Sequence, residues 1–344
     1  MTEQHPPLFG KTLLELGEVV TQLKLPTFTA RQLVDWLYKK KVSSIDEMTN
    51  LSKQTRQYLI GHFDLGLSNP VKEQASIDGT KKYLYRSESG KFIEAAYIPG
   101  KIRHTLCVST QVGCKMGCLF CMTARQGFQG QLSAGEILNQ VHSLPERYLL
   151  TNIVYMGMGE PFDNLDAVMK SLEILSAEWG FAMSPKRITV STIGIIPGMK
   201  TFLEHSQCHL AVSLHSPFEE DRKKLMPIQN VYSLKEVLET IRSYDFSRQR
   251  RVSFEYIMFK GLNDTPAHVK ELARILNGIR CRINLLKFHP IPGTTLQSSD
   301  DHTIEWFREA LKAKGIMTSL RQSRGQDIDA ACGLLSTKEL VIKQ

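Results

Sequence analysis

No run in this chain approaches the roughly 20 consecutive apolar residues that a membrane-crossing helix needs, and no basic-then-apolar leader opens it. Those two absences predict a protein that works in the cytoplasm and away from membranes. A glycine-rich dinucleotide fingerprint is missing after the first candidate strand, which argues against a Rossmann sheet. Cysteine is sparse and odd in number, seven in 344 residues. A disulfide framework therefore fits poorly, because such frameworks pair their cysteines in short secreted chains that cannot bury a large core. Acidic residues are the minority charge, 35 against 43 Lys and Arg, leaving a net +8 and an isoelectric point near 9.0. A surplus of that sign favours a polyanion such as nucleic acid. It gathers in Lys39-Lys40-Lys41, Lys81-Lys82, Arg222-Lys223-Lys224 and Arg248-Gln249-Arg250-Arg251, although each run alone reads as a solvated face. With 42% apolar and 23% charged residues, the composition is that of an ordinary globular protein.

What the chain does have is a cluster. GCKMGCLFC, residues 113 to 121, sets Cys114, Cys118 and Cys121 at CxxxCxxC spacing. Structural zinc wants four protein ligands, and no fourth stands at zinc-like spacing. Inert buried thiols are a weak account of three cysteines within eight residues. A 4Fe-4S cluster with one iron left open for a small ligand takes three thiolates. That reading makes the site catalytic.

Residues 11 to 65 carry apolar residues three or four apart in LLELGEVVTQL, TARQLVDWLYKKK and SSIDEMTNLSKQTRQYL, which predicts short helices. Residues 80 to 98 read as a β-hairpin around Ser-Glu-Ser-Gly. From residue 104 onward strand-like runs alternate with helical ones, the pattern of a parallel α/β sheet. Six strands are expected, at 104 to 110, 152 to 157, 187 to 192, 209 to 215, 251 to 259 and 282 to 288. Capping boxes at Ser133-Ala-Gly-Glu136 and Ser233-Leu-Lys-Glu236 start two of the helices. The expected organisation is an N-terminal helical RNA-binding domain (1 to 70), a hairpin linker (71 to 100) and a partial (β/α)6 barrel (101 to 344).

Polar residues then fall at the carboxyl ends of these strands: the cysteines after the first, Gly159-Glu160-Pro161 after the second, Ser191 at the third, Ser213-Leu214-His215 at the fourth, His289 after the sixth. In a parallel barrel those ends share one face, where active sites are built. Each has a bland reading: Ser191 as a strand-end cap, His215 as a core histidine, Glu160 as a carboxylate at a helix N-terminus. Five on one mouth make coincidence the poorer explanation.

CxxxCxxC after the first strand and GEP after the second resemble the radical S-adenosylmethionine superfamily. CVSTQVGCKMGCLFC, GMGEPFDN, RITVSTIGIIPG, SLHSPFEEDRKKLMPI, YIMFKGLNDT and SRGQDIDAACG resemble, in that order and over about residues 13 to 337, the RlmN/Cfr group of RNA adenosine methyltransferases. The resemblance implies a radical-SAM-type barrel, a 4Fe-4S cluster on Cys114, Cys118 and Cys121, and two S-adenosylmethionine molecules per turnover. Gly159 and Glu160 would meet the methionine amino group; Ser191, Ser213, Leu214 and His215 would surround the carboxylate, ribose and adenine. His289 stands where many relatives have Asn, and either side chain can hydrogen-bond there.

The amidine carbons of adenine are electron-poor and offer no lone pair, so direct methyl displacement is closed to them. A thiol that carries the carbon, and a second that releases it, would solve the problem. By resemblance Cys332 is the carrier, Glu94 the general base that removes the ring proton, and Cys107 the thiol that attacks Cys332 and leaves a disulfide for reduction. From its strand alone Cys107 reads as an inert packed thiol. The resemblance further implies 23S rRNA as substrate, the tRNA adenosine beside the anticodon as a second one, and flavodoxin or ferredoxin as electron donor. Carbon 2 of the adenine is expected from Gly159-Glu160-Pro161 and SRGQDID, whereas STIGIIP and HSPF lean toward the Cfr-type carbon 8. A cluster-bearing RNA-binding or electron-transfer protein without methylation is the remote alternative, and it would need neither Cys107 nor Cys332.

Overall fold

The computed structural model describes residues 5–40, 42–246 and 251–337. Lys41 and residues 248–250 of two basic runs lie outside them. Its N-terminal part is helical: α1 (Leu13–Gln22), α2 (Thr29–Val34) running into a π-helical turn Asp35–Lys40, a 3-10 turn Ile45–Glu47, and α3 (Lys53–His62). A third capping box, Thr12 with Glu15, starts α1. The run 43 to 59, expected as one helix, breaks because the Ser52 hydroxyl accepts from the Thr55 amide and starts α3 afresh, the local competition Ser offers a helix.

The strands are β1 (Lys72–Ala75), β2 (Lys81–Arg86), β3 (Phe92–Ile98), β4 (Thr105–Val108), the short pair β5 (Gln111–Val112) and β6 (Gly130–Gln131), then β7 (Asn152–Tyr155), β8 (Ile188–Thr192), β9 (His209–Ser213), β10 (Val252–Met258), β11 (Cys281–Lys287) and β12 (Met317–Arg321). Ten form one open sheet, in the order β1-β2-β3-β4-β7-β8-β9-β10-β11-β12. The first four run antiparallel, and from β4 onward all neighbours are parallel. The six expected strands are present, and β12 adds a seventh to the parallel set. The two unforeseen strands of this sheet, β1 and β12, are its edges, exposed along most of their length, so neither shows the apolar alternation that betrays a half-buried strand.

Helices α4 (Met122–Gln126), α5 (Ala134–His142), α6 (Leu165–Ser176), α7 (Ile196–His205), α8 (Glu219–Leu225), α9 (Leu234–Arg242), α10 (Pro266–Ile275) and α11 (Asp301–Ala313) connect the parallel strands. Both expected capping boxes are formed. Period-two alternation divides the sheet faces. Leu106, Val108, Ile153, Tyr155, Val190, Leu210 and Phe254 turn into the main core with the helices. Their neighbours Thr105, Cys107, Val154, Ser191, Ser213 and Glu255 turn the other way, onto a cavity.

The same core continues into the N-terminal helices: Leu16, Leu33 and Leu37 are fully buried in one cluster with Ile137 and Leu172, each contributing roughly 1.5–3 kcal/mol by burial. Phe9 packs edge-on against His142 at 5.0 Å, and Tyr38 lies 5.7 Å from Phe181. Gly10, at φ +90°, approaches α5 so closely that a side chain would meet the Gly135 backbone at 2.5 Å.

Candidate active site

A cavity of about 420 Å³ opens on the face of the sheet away from the main core, at the carboxyl ends of its parallel strands. The loop from β5 to α4 forms one wall and brings Cys114, Cys118 and Cys121 to it. Gly113 lets this loop close on itself, since a side chain there would overlap the Gly127 carbonyl. The Leu119 amide, donating to the Leu225 carbonyl at 3.0 Å, ties the loop to the end of α8. Behind it Arg222 is fully buried, donating to Gln229 Oε1 (2.6 Å) and to the carbonyls of Ile193 (2.9 Å) and Ser213 (3.3 Å). A surface place was expected for this basic run, so its first member is a correction: two carbonyls at strand ends and the Gln229 side chain draw it inside, while Lys223 and Lys224 stay out.

Burial pushes the Cys114 thiol up to about 12 and Cys118 well above its ordinary range. Those two sulfurs therefore stay protonated until a cation takes the protons' place, as metal binding does. Three thiols on one loop, facing one cavity, fit a 4Fe-4S cluster held through three irons, the donor chemistry cluster iron requires. Among the described residues, no three His, Cys, Asp or Glu side chains converge as they would on a single metal ion.

Gly159 and Glu160 lie beside this loop on the cavity wall. Gly159 has φ +100°, and a Cβ there would meet the Gln111 side chain at 2.6 Å. The Glu160 carboxylate is buried and accepts from Thr192 Oγ1 (2.6 Å), the Ile193 amide (3.0 Å) and the Phe162 amide (3.2 Å); burial still pushes it up to about 7. Ser191, Ser213 and His215 line the next stretch. His215 Nδ1 accepts from the Ile257 amide at 3.0 Å, which leaves the ring proton on Nε2, and burial lowers the imidazole to about 3. It is a neutral donor. His289 also reaches the cavity and meets Ser323 Oγ at 2.7 Å. Leu214 does not line it: the residue is fully buried, its amide bonded to the Glu255 carbonyl.

Cys107 and Cys332 face the same cavity, and both are free thiols. Cys107 sits among Ala96, Val154 and Ala330, and burial raises its thiol far above the ordinary range, helped by the nearby Cys332. Cys332 is exposed to the cavity. The segment following it is pinned to α4: the Met122 amide donates to the Gly333 carbonyl, Thr123 Oγ1 to the Leu335 carbonyl, and Gln126 bonds Thr337 through both its amide nitrogen and its oxygen. Glu94 lies off the cavity wall, buried, with Lys82 Nζ at 3.1 Å and the Ser336 amide at 3.0 Å from its two oxygens.

Three further polar groups were not singled out from sequence. Glu255 and Arg321 line the cavity 3.7 Å apart, and Asn284 donates to Glu255 at 2.7 Å. A glutamate in the middle of the strand-forming run RVSFEYIMF was the available signal. Lys82, expected on a solvated face, is buried instead, because alternation sends Lys81 to Glu146 and Glu73 on one face and Lys82 to Glu94 on the other.

Residues 108–276 match the model of the radical SAM superfamily, and residues 7–64 match that of the ribosomal RNA large subunit methyltransferase N-terminal domain. A Bacteroides fragilis protein named "Probable dual-specificity RNA methyltransferase RlmN" is 55% identical over 331 residues, 96% of each chain. The dual-specificity RNA methyltransferase RlmN of Lawsonia intracellularis is 41% identical and covers 94% of each. The crystal structure of a radical SAM methyltransferase from Sphaerobacter thermophilus superposes with a TM-score of 0.90 at 40% identity, over 96% of this chain and 99% of that one. Superfamily membership implies S-adenosylmethionine and a 4Fe-4S cluster, in keeping with the three-thiol wall. Its cavity, its sheet and its near full-length likeness to these proteins agree: the chain belongs to the RlmN family of radical SAM RNA methyltransferases.

Proposed function

We propose that the protein methylates carbon 2 of an adenosine in the peptidyl transferase centre of 23S rRNA, and of the tRNA adenosine beside the anticodon, through a methyl group carried on Cys332. The observation that carries this reading is the meeting of two free thiols, Cys107 and Cys332, with the three-thiol loop around one cavity. Cys114, Cys118 and Cys121 would hold the cluster. Gly159 and Glu160 would meet the methionine amino group of S-adenosylmethionine, with Ser191, Ser213, His215 and His289 along the rest of that ligand and Leu214 behind them as backbone support. When bound, these groups supply a methyl group to Cys332 and then a radical that takes one hydrogen from it, consuming two S-adenosylmethionine molecules.

The protein's own residues do the rest. Cys332, open to the cavity, presents the activated carbon to the adenine. Addition leaves one unpaired electron on the adduct, which would be lost to the one-electron acceptor that a cluster on Cys114, Cys118 and Cys121 would supply, while Glu94 takes the proton from the ring carbon, whose C–H bonding pair returns to the ring. Cys107 then attacks the Cys332 sulfur: an S–S bond forms, the C–S bond breaks, and the carbon leaves with its electron pair and gains a proton. A two-electron reductant must reopen the disulfide, and a flavodoxin or ferredoxin would charge the cluster. The helical residues 1–70 would grip RNA phosphates, with 71–100 joining them to the barrel of 101–344.

Mass spectrometry of nucleosides from 23S rRNA and tRNA, in cells lacking and regaining the gene, tests the reading. 2-Methyladenosine should vanish and return in both RNAs. Appearance of 8-methyladenosine would assign the Cfr-type reaction instead, and no change in either would defeat both.

A further inference from the structure

Lys82 and Glu94 form a buried ion pair, with only 9% and 6% of their side chains exposed. In the β2–β3 register Lys82 faces Ala96 and Leu84 faces Glu94. The two charged residues are thus diagonal neighbours on one sheet face, a separation long side chains span. Cys107 stands opposite Ala96 on that same face. Burying a lysine costs several kcal/mol of desolvation, and an apolar pair of like volume would hold the strands as well. Fold stability alone leaves the charge unexplained.

The groups around Glu94 narrow the explanation. Its second carboxylate oxygen takes the Ser336 amide, and Asp329, from the same C-terminal stretch, acts against its charge. Ser109 Oγ donates to its backbone carbonyl, and its amide donates to Met158 Sδ; these fix the strand without touching the carboxylate. Burial disfavours the ionised form, and the cation set against that is Lys82.

We propose that Lys82 is a positioning residue for the methyl-transfer reaction: it fixes the Glu94 carboxylate and keeps it charged, ready to accept the ring proton. This rests on Glu94 being the base, as proposed above. Without Lys82, burial and Asp329 would act on the carboxyl with only the Ser336 amide set against them, favouring the protonated form, which has no room for a second proton.

The test uses full-length, cluster-loaded protein with Lys82→Gln, which keeps a hydrogen-bonding side chain and loses the charge, beside Lys82→Arg and Glu94→Gln. Single-turnover methylation of RNA is followed against pH, with covalent protein–RNA adduct and methylation of Cys332 measured in parallel. In Lys82→Gln the acid limb should move at least one pH unit upward, a tenfold loss below it. Adduct should accumulate at neutral pH and resolve when pH is raised, while Cys332 methylation is unchanged. Lys82→Arg should keep the limb in place.

A loss equal at every pH, or an unmoved limb in Lys82→Gln, would overturn the proposal. Should Lys82→Gln not fold, the neutral pair Lys82→Gln/Glu94→Gln must; failure of that double variant would assign Lys82 to the fold and overturn the proposal too. Glu94→Gln separates the two readings: if it turns over normally the base itself is wrong, whereas a stalled Glu94→Gln beside a normal Lys82→Gln removes Lys82 alone.

Discussion

Glu94 and Ser336, 242 positions apart in the chain, are joined by a 3.0 Å hydrogen bond from the Ser336 amide to the Glu94 carboxylate. The residue proposed to take the proton therefore also anchors the segment that carries the proposed methyl carrier. On gaining a proton Glu94 becomes a weaker acceptor, so its hold on the Cys332 segment loosens at the step after which Cys107 must reach that sulfur.

Substitution of the two thiols separates this chemistry from every simpler methyl transfer. Cys107→Ala should still be methylated on Cys332 and still attack RNA, then stall as a covalent protein–RNA species visible on a denaturing gel. Cys332→Ala should give neither adduct nor methylated RNA. Iron content should match the unaltered protein in both. Repeated turnover by Cys107→Ala would sink the carrier scheme.

Anaerobically prepared protein should carry about four iron per chain. Replacing Cys114, Cys118 or Cys121 by Ala should remove the iron and abolish reductive cleavage of S-adenosylmethionine, measured by chromatography of 5′-deoxyadenosine. Stoichiometric zinc without iron would refute the cluster.

Much of this site is legible in the sequence, for reasons that differ by residue. The three cysteines announce themselves by spacing, and Gly159-Glu160, Ser191, His215 and His289 by falling at strand ends that a parallel sheet gathers on one side. Cys107 and Cys332 carry no local signal and were reached through family resemblance alone. Lys82 and Arg222 were misplaced because a run of like charges reads as one solvated face. Inside a strand, alternation splits such a run between two faces, and in α8 three oxygen acceptors draw one member in. Edge strands β1 and β12 escaped because a strand with one neighbour has no need of an apolar stripe.

Glu160 makes stability without cofactors depend on pH. Its folded carboxyl, near 7, lies above its ordinary 4.5. The folded state thus binds this proton more tightly than the unfolded one, and the contribution is complete below about pH 4.5 and lost as pH rises through 7. Its size is on the order of 3 kcal/mol. Thermal melts of the cofactor-free protein should show a steeper fall from pH 5 to 8 than melts of Glu160→Gln. Parallel curves would contradict the assignment.

RNA affinity should fall with salt, by a slope of about 0.7–0.9 in log units for each phosphate neutralised. Lys39 and Lys40 are exposed at the end of the π-helical turn, and Lys53 at the start of α3. Changing the three to Gln should weaken binding of a target RNA fragment and flatten that slope, read by filter binding across a salt series, with iron content unchanged. Point changes are the sounder test than deleting residues 1–70, since deletion would strip Leu16, Leu33 and Leu37 from a core shared with the sheet helices. An unaltered slope would assign these residues another task.

The ties between α4 and the segment beyond Cys332 have a consequence in time. Gln126 waits for partners that lie 210 and 211 positions later, which at ordinary rates of synthesis is about 10–40 s of translation. For that interval the nascent chain already holds all three cysteines of the proposed cluster loop but not Cys332, the proposed carrier thiol. A chain cut short just after β12 would stay in that condition permanently, equipped with the half of the site proposed to generate the radical and lacking the proposed acceptor.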